Sequence, residues 1–416
     1  MKLVCSKANL LNGVQTVSKA VPGKTTMPIL ECILIDATTD IIKLTANDME
    51  LGIETTIEGQ IVEKGIIALD AKMFLEIVRK LPDSDITIET DASFKVVITC
   101  EKAKFTIIGK SGEDFSYLPA VEKDDSIVMS QFTLKEVVRQ TIFSISDNDN
   151  NKLMTGELFD INGEEFKIVS LDGHRISIRK IQLKNSYSPK KVVVPGKTLN
   201  EVSKILPGDA DSDVTISFTE KHIVFEFDKT VVVSRLIEGE YFKIDQMLSS
   251  DYETKVRVNK KEFLSCIDRA TLLVKEGDKK PIIVNITDSG MELKINSALG
   301  SMNEEIDIQK QGKDLMIGFN PKFLIDALRV IDDEEVYGKS QGTLFYQECR
   351  GKLYLPDPSR ELYNSCLNLR TEVKSMHTIR LKDDYIKLGQ ALKAAGVVES
   401  GVDAKFAVQD GLVKVN

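Results

Sequence analysis

The sequence predicts an α+β protein built from three copies of one domain, and three observations carry that reading. An amphipathic helical stripe recurs behind Lys72, Lys197 and Lys322, a spacing of 125 residues twice over. A second helical stripe recurs earlier in each copy. The segments between the helices alternate apolar and polar residues and are punctuated by Gly, Asn and Asp, as antiparallel strands are. A chain of 416 residues has room for two to four domains. With 42% apolar and 29% charged residues it can bury several cores and is not a disordered polymer.

Taken in order, each copy opens on a helix. KANLLNGVQTVSKAV from Lys7 aligns Leu10, Leu11, Val14 and Val17. TLKEVVRQTIFSIS from Thr133 aligns Val137, Val138, Thr141 and Ser144, and KKEFLSCIDRATLLV from Lys260 aligns Phe263, Leu264, Ile267 and Ala270. Strand-like runs follow, among them ILECILIDATTDIIKLTA, GELFDINGEEFKIVS and IIVNITDSGMELKIN. The second helix of each copy then presents Phe74, Ile77, Val78 and Leu81; Leu199, Val202, Ser203 and Leu206; and Leu324, Ala327, Leu328 and Ile331. Each set is spaced i, i+3, i+4, i+7, the buried stripe of a surface helix, and only Ser203 interrupts it. Polar, turn-rich stretches near residues 122 and 250 divide the chain into domains 1–122, 123–249 and 250–336.

Composition narrows the function. No run of about 18 apolar residues exists, so no membrane span is expected. The N-terminus lacks a secretory segment, which predicts a cytoplasmic protein. The six cysteines stand singly at 5, 32, 100, 266, 349 and 366, without the paired spacing of a zinc site or a disulfide frame. A net charge of −9 argues against a uniformly basic nucleic-acid binder. The helix faces opposite the apolar stripes nevertheless gather Lys7, Lys19, Lys72, Arg79 and Lys80 in the first copy. Lys135, Arg139, Lys197 and Lys204 follow in the second, and Lys260, Lys261, Arg269, Lys322 and Arg329 in the third. One basic surface on an acidic protein attracts a polyanion at that surface alone, through phosphates and without sequence readout. No catalytic or metal constellation is found. His174, His222 and His377 have no partners at ligand spacing, and HExxH, GxSxG and P-loop motifs are absent. The sharp polar cluster Asp172–Arg175 (DGHR) reads as a turn between strands. No enzyme activity, metal or cofactor is expected.

Residues 1 to about 336 resemble the bacterial β sliding clamp, the processivity subunit of the replicative DNA polymerase III. The matching segments are MPIL (Met27–Leu30), TANDMELGI (Thr45–Ile53), GEDFSYLP (Gly112–Pro119), MTGELF (Met154–Phe159), DGHRI (Asp172–Ile176) and IGFNPKFLIDAL (Ile317–Leu328). The resemblance implies a head-to-tail homodimeric ring of six such domains, with sheets outside and helices lining a hole through which duplex DNA slides. It implies DNA contact by Lys24 and by the loop Ser146–Leu153, with Asn148, Asn151 and Lys152 at its polar positions. With the helix lysines, the DNA-facing set is Lys24, Lys72, Arg79, Lys80, Asn148, Lys152, Lys197, Lys204 and Lys322. It further implies a cleft between the second and third domains that takes a partner peptide, a Gln followed by apolar residues, against Met154, Leu171, Gly173, His174, Arg175, Ile176, Met247 and Leu248. The ring interface is expected to set Phe105 and Ile107 of one protomer against Leu272 and Leu273 of the other. Implied partners are the replicative polymerase, an ATP-driven clamp loader and other proteins carrying the clamp-binding motif.

The tail departs from this pattern. Residues 337–375 lack strand alternation, and the family would supply its final strands and an apolar end here. Suitable codons for Lys339–Tyr363, read one base later, spell SPKAPCFIKNAEGSYIYLILPVNY, an alternating peptide with a family-like LPV. A single-base frameshift near residues 336–340 is therefore expected. From Met376 onward, YIKLGQALKAAGVVESGVDAK and VQDGLVKVN resemble the start of a small RNA-binding domain of the kind found in a ribosomal small-subunit protein and pseudouridine synthases, without the basic stretch that follows there. The competing reading is a non-ring nucleic-acid-binding scaffold whose extension contacts RNA.

Overall fold

The computed structural model describes residues 1–116, 118–119, 125–148, 150–244, 253–274, 281–341, 344–349 and 362–364, the residues from 339 onward by their backbone only. The three-copy α+β architecture is present. The first copy runs β1 (Lys2–Ser6), α1 (Lys7–Val17), β2 (Cys32–Asp36), β3 (Ile42–Asn47), β4 (Leu51–Ile57), β5 (Gln60–Glu63) and β6 (Ile66–Asp70). It ends with α2 (Ala71–Lys80), β7 (Asp85–Thr90), β8 (Lys95–Cys100) and β9 (Ala103–Ile108). The second has β10 (Asp125–Ser130), α3 (Gln131–Arg139), a long hairpin β11 (Gly156–Leu171) and β12 (Ile176–Pro195), and α4 (Gly196–Ile205). Its last strands are β13 (Asp213–Phe218), β14 (His222–Phe227) and β15 (Thr230–Arg235). The third has β16 (Thr254–Asn259), α5 (Lys260–Thr271), β17 (Ile282–Thr287), β18 (Gly290–Ser297), β19 (Gly300–Ile306), β20 (Ile308–Gly312) and β21 (Leu315–Phe319). It closes with α6 (Pro321–Val330), β22 (Glu335–Gln341), β23 (Leu344–Cys349) and β24 (Leu362–Asn364).

Among the described residues each α-helix starts at the end of a strand, α6 after the single residue Asn320. A side-chain oxygen marks the switch in five of these six. Ser6, Asp70, Ser130, Asn259 and Asn320 each accept a hydrogen bond from a backbone N–H of the first helical turn, and α4 begins at Pro195 without one. The predicted stripes are buried except at Leu11, Ser203 and Leu264, which are half-buried. Leu10, Val14, Val17, Phe74, Val78, Leu199 and Val202 enter one core shared by the first two copies, while Phe263, Ile267, Leu324 and Leu328 enter a separate third-domain core. The two helices of each copy pack on one another.

Two expectations are corrected. The helix expected from Thr133 through Ser144 stops at Arg139. Thr141 and Ser144 are buried beyond it, their hydroxyls satisfied by the Val137 carbonyl (2.9 Å) and the Ser177 hydroxyl (2.6 Å). The segment after Val336 was expected to lack strands, yet β22 runs to Gln341 and pairs with β16 and with β23. A ladder is made by backbone groups, so it survives where side-chain alternation has failed.

Five sheets result. One of them, in the order β10-β13-β14-β15-β4-β3-β2-β6, crosses from the first copy into the second through the β4–β15 ladder. The β11–β12 hairpin stands as a two-stranded sheet among the described residues. The first two copies are thus joined by backbone hydrogen bonds, whereas the contacts between the second and third described below are made by side chains.

Candidate nucleic-acid interface and partner cleft

Lys24, Lys72, Arg79, Lys80, Asn148, Lys152, Lys197, Lys204 and Lys322 are all exposed, as a polyanion contact requires. They are not electrostatically equal. Arg79 is paired with Glu76 (2.6 Å), Lys204 with Glu201 (2.7 Å) and Lys197 with Asp48 of the first copy. Lys24, Lys72, Lys80, Lys152 and Lys322 have no acidic partner among the described residues. The Arg79–Glu76 pair is exposed on both sides and worth about 0–1 kcal/mol, so Arg79 can still turn to phosphate at little cost, whereas Lys197 and Lys204 are held by the more buried carboxylates of Asp48 and Glu201.

Three lysines read as part of the basic face are instead structural. Lys7 Nζ donates to the Leu81 carbonyl, Lys135 Nζ to the Leu206 carbonyl (3.1 Å) and Lys260 Nζ to the Ile331 carbonyl (2.7 Å). In every copy the first helix therefore sends one ammonium to the C-terminal end of the second, where carbonyls lack intrahelical partners and the helix dipole is negative. Replacing each by Met is expected to lower stability by about 1–2 kcal/mol. Denaturant midpoints at unchanged m-value check this, and a loss under a few tenths of a kcal/mol at all three sites would refute it.

The cleft residues are divided by the structure. Leu171 and Ile176, with Met154 packed against them, join Leu158, Val169, Ile178, Val193, Tyr241 and Ile244 in a small apolar cluster apart from the main core. Gly173 and His174 sit exposed on the β11–β12 turn, with Gly173 at φ +86°. Met247 and Leu248 lie outside the described residues. Arg175, expected as an open wall, is a buried strut only 6% exposed. Its Nε donates to Asp172 (3.0 Å), Nη1 to Asp326 of α6 (2.8 Å) and Nη2 to the Phe143 carbonyl. The guanidinium also lies 4.5 Å from the Phe323 ring centroid and 5.3 Å from that of Phe143, and His174 stacks on Phe323 at 6.1 Å. A second link, Arg139 to Asp332 (3.2 Å), joins the end of α3 to the residues after α6. Arg179, buried nearby, is pushed down to about 10 by burial against the pull of Asp332 and Glu136. Sequence reasoning missed Phe143, Phe323, Asp326 and Asp332, because nothing local marks a residue whose partner lies 151 positions away.

The expected ring-interface residues also divide. Phe105 (39% exposed) and Leu272 (78%) point outward, whereas Ile107 and Leu273 are half-buried against their own cores. Ile108, not singled out from sequence, is 74% exposed. β9 is the edge strand of its sheet and β19 the edge strand of another. Among the described residues no group of His, Cys, Asp and Glu could hold a metal ion, and no helix is long and apolar enough to cross a membrane.

Comparison with known proteins defines the class. Family models of the DNA polymerase III beta subunit match in succession, the N-terminal domain over residues 1–119, the central domain over 128–243 and the C-terminal domain over 245–339. An S4 domain model matches residues 379–416, where the tail resembles a small RNA-binding domain. The chain is 33% identical to the beta sliding clamp of Staphylococcus epidermidis over 354 residues, covering 83% of this chain and 94% of the relative. It is 35% identical to that of Staphylococcus aureus over 336 residues, 78% and 89% of the two chains. A putative DNA polymerase III beta subunit structure from Eubacterium rectale superposes with a TM-score of 0.82 at 74% identity, covering 85% of this chain and 96% of that one. The Bacillus subtilis sliding clamp superposes with a TM-score of 0.83 at 32% identity, covering 89% and 100%. The chain belongs to the β sliding clamp family.

Proposed function

We propose that the protein is a non-enzymatic processivity clamp: two copies close head to tail around duplex DNA, which they hold topologically while tethering the replicative polymerase. The observation that carries this is the threefold repeat of paired helices bearing exposed lysines, on a chain whose family is established. Contacts through Lys24, Lys72, Lys80, Lys152 and Lys322 are few, solvated and salt-screened, so they steer DNA without gripping it. Closure is supported by the unpaired edges β9 and β19. Lys104 precedes Phe105 on the first, with Lys102 in the turn before it, and Glu305 lies on the second beside Glu304, which pairs with Arg269, so opposite charges meet when the edges pair. The cytoplasm is the proposed location, and domains 1–122, 123–249 and 250–336 are the proposed units.

Retention on a closed DNA circle that is lost when the circle is cut tests the topological reading. Equal retention on both forms would favour the alternative scaffold, which the S4 match supports, and RNA binding by residues 376–416 would then be expected. Replacing Lys72 and Lys322 together by Ala is expected to lower the magnitude of the salt slope of DNA binding by about 2, one unit per contact. An unchanged slope would remove these lysines from the interface.

We infer that a frameshift near residues 336–340 produced the tail, and that the resulting chain dimerises poorly and binds partner peptides weakly, because the third domain loses its family-type final strands and the cleft loses one wall. A tight dimer in sedimentation would count against this. Sequencing the coding region tests the origin: an unbroken frame encoding these residues refutes it.

A further inference from the structure

The turn that carries the partner cleft has a twin. In the second copy β11 and β12 are joined through Asp172, whose Oδ1 accepts from the N–H groups of His174 (2.9 Å) and Arg175 (3.0 Å) and whose own N–H reaches the Arg175 carbonyl (3.3 Å). In the first copy β3 and β4 are joined through Asp48. Its Oδ1 accepts from Glu50 (3.0 Å) and Leu51 (2.7 Å), and its N–H reaches the Leu51 carbonyl (3.0 Å). The residue after each Asp is left-handed, Gly173 at φ +86° and Met49 at φ +75°. That conformation is uncommon for a side chain like methionine, so the shared turn is kept against local preference. Each turn is also tied to the second helix of the following copy, Asp48 to Lys197 and Arg175 to Asp326. Beneath each lies a small apolar cluster built on equivalent cross-strand pairs, Leu34 with Ala68 and Leu158 with Val193.

The two junctions differ in what fills them. At the first, buried Asn47 donates from Nδ2 to the Ser116 carbonyl (2.7 Å), pinning the segment that leaves the first copy. Leu118 then lies directly on Gly52, where an added Cβ would stand 2.0 Å from Leu118 Cδ2. The equivalent of Gly52 in the second copy is Ile176, part of the proposed cleft floor. Around Leu118 a cavity of about 90 Å³ remains, bounded by Met49, Leu51, Val233 and Arg235.

We propose that the junction of the first and second copies is a second peptide cleft of the same chemistry, occupied by the protein's own residues Ser116, Leu118 and Pro119 with Leu118 as the internal ligand. The site takes an extended peptide with a leucine-like side chain on Leu51, Gly52 and Val233 and a backbone carbonyl on Asn47. A protomer thereby offers one open cleft, because the other is already filled. The identification of peptide as ligand rests on the reading of the second junction as the partner cleft.

The test uses the full chain and a hexapeptide of Gln followed by apolar residues, carrying a photo-crosslinker. Leu118→Gly and the milder Leu118→Ala are compared with the unmodified protein, each first shown to be folded by its melting transition. The expected result is one additional peptide bound per chain in the variants, with crosslinks mapping to residues 47–52 and 232–235. Folded variants that gain no peptide, or gain crosslinks only at 171–176, overturn the proposal. Crosslinks at 171–176 in the unmodified protein report separately on the second junction, so failure of that reading is seen independently. A gain at 47–52 without any at 171–176 would still support the internal ligand.

Discussion

Replacing Arg175 by Met is expected to lower stability by about 3 kcal/mol and to separate unfolding of the third domain from that of the first two. The guanidinium uses all its groups at once, bridging Asp172, Asp326 and the Phe143 carbonyl between two aromatic rings. Breaking a buried pair costs about 3–5 kcal/mol, chiefly because the stranded carboxylate stays desolvated. Asp326 is 23% exposed on its side chain and regains some water, which places the loss at the lower end. Among the described residues no ladder joins the second copy to the third, since β11 and β12 form their own two-stranded sheet. Adding Asp326→Leu to the variant should restore part of the loss by removing the stranded charge. A single transition with a loss under about 1 kcal/mol would show that the domains are held elsewhere.

Glu157→Gln is expected to stabilise the protein at alkaline pH, by up to about 4 kcal/mol at pH 8, and to change nothing that depends on pH below about 4.5. Glu157 is fully buried on β11, and neither carboxylate oxygen has a hydrogen-bond partner among the described residues. Burial pushes its carboxyl up to about 8; the neighbouring Thr141 hydroxyl opposes this only weakly, since it donates to the Val137 carbonyl. The folded protein thus keeps a proton that the unfolded chain releases near 4.5. Between those values the folded state binds more protons, so stability falls as pH rises, by about 1.4 kcal/mol per unit, and levels off above pH 8. The glutamine amide shares the burial cost at every pH but does not titrate, so the slope, not the level, is the readout. Unfolding free energies measured from pH 4 to 9 with equal slopes in both proteins would remove Glu157 from this role.

These two residues also mark where sequence reading stops. Arg175 stands in a motif that the family resemblance highlighted, and its position on the β11–β12 turn was legible from the Asp and Gly beside it. Its burial was not, because that depends on Phe323 and Asp326 arriving from another domain. Glu157 sits in an alternating strand and resembles any half-exposed glutamate. Lys7, Lys135 and Lys260 were assigned to the basic surface because a helical wheel distinguishes only buried from unburied faces. It cannot show that the next helix ends within reach of an ammonium.

What the sequence determined by itself was the repeat, two helices per copy with most of their buried stripes, the strand-rich remainder and the family. Those follow from residue periodicity and motifs, which act over a few positions or are copied whole from one repeat to the next. The tertiary structure alone decided which cations remain available, how the copies are joined and which junction is already filled. These depend on burial and on charges or apolar groups brought together from more than a hundred residues apart, where Coulomb and packing energies are set by distance in space and leave no trace in spacing along the chain.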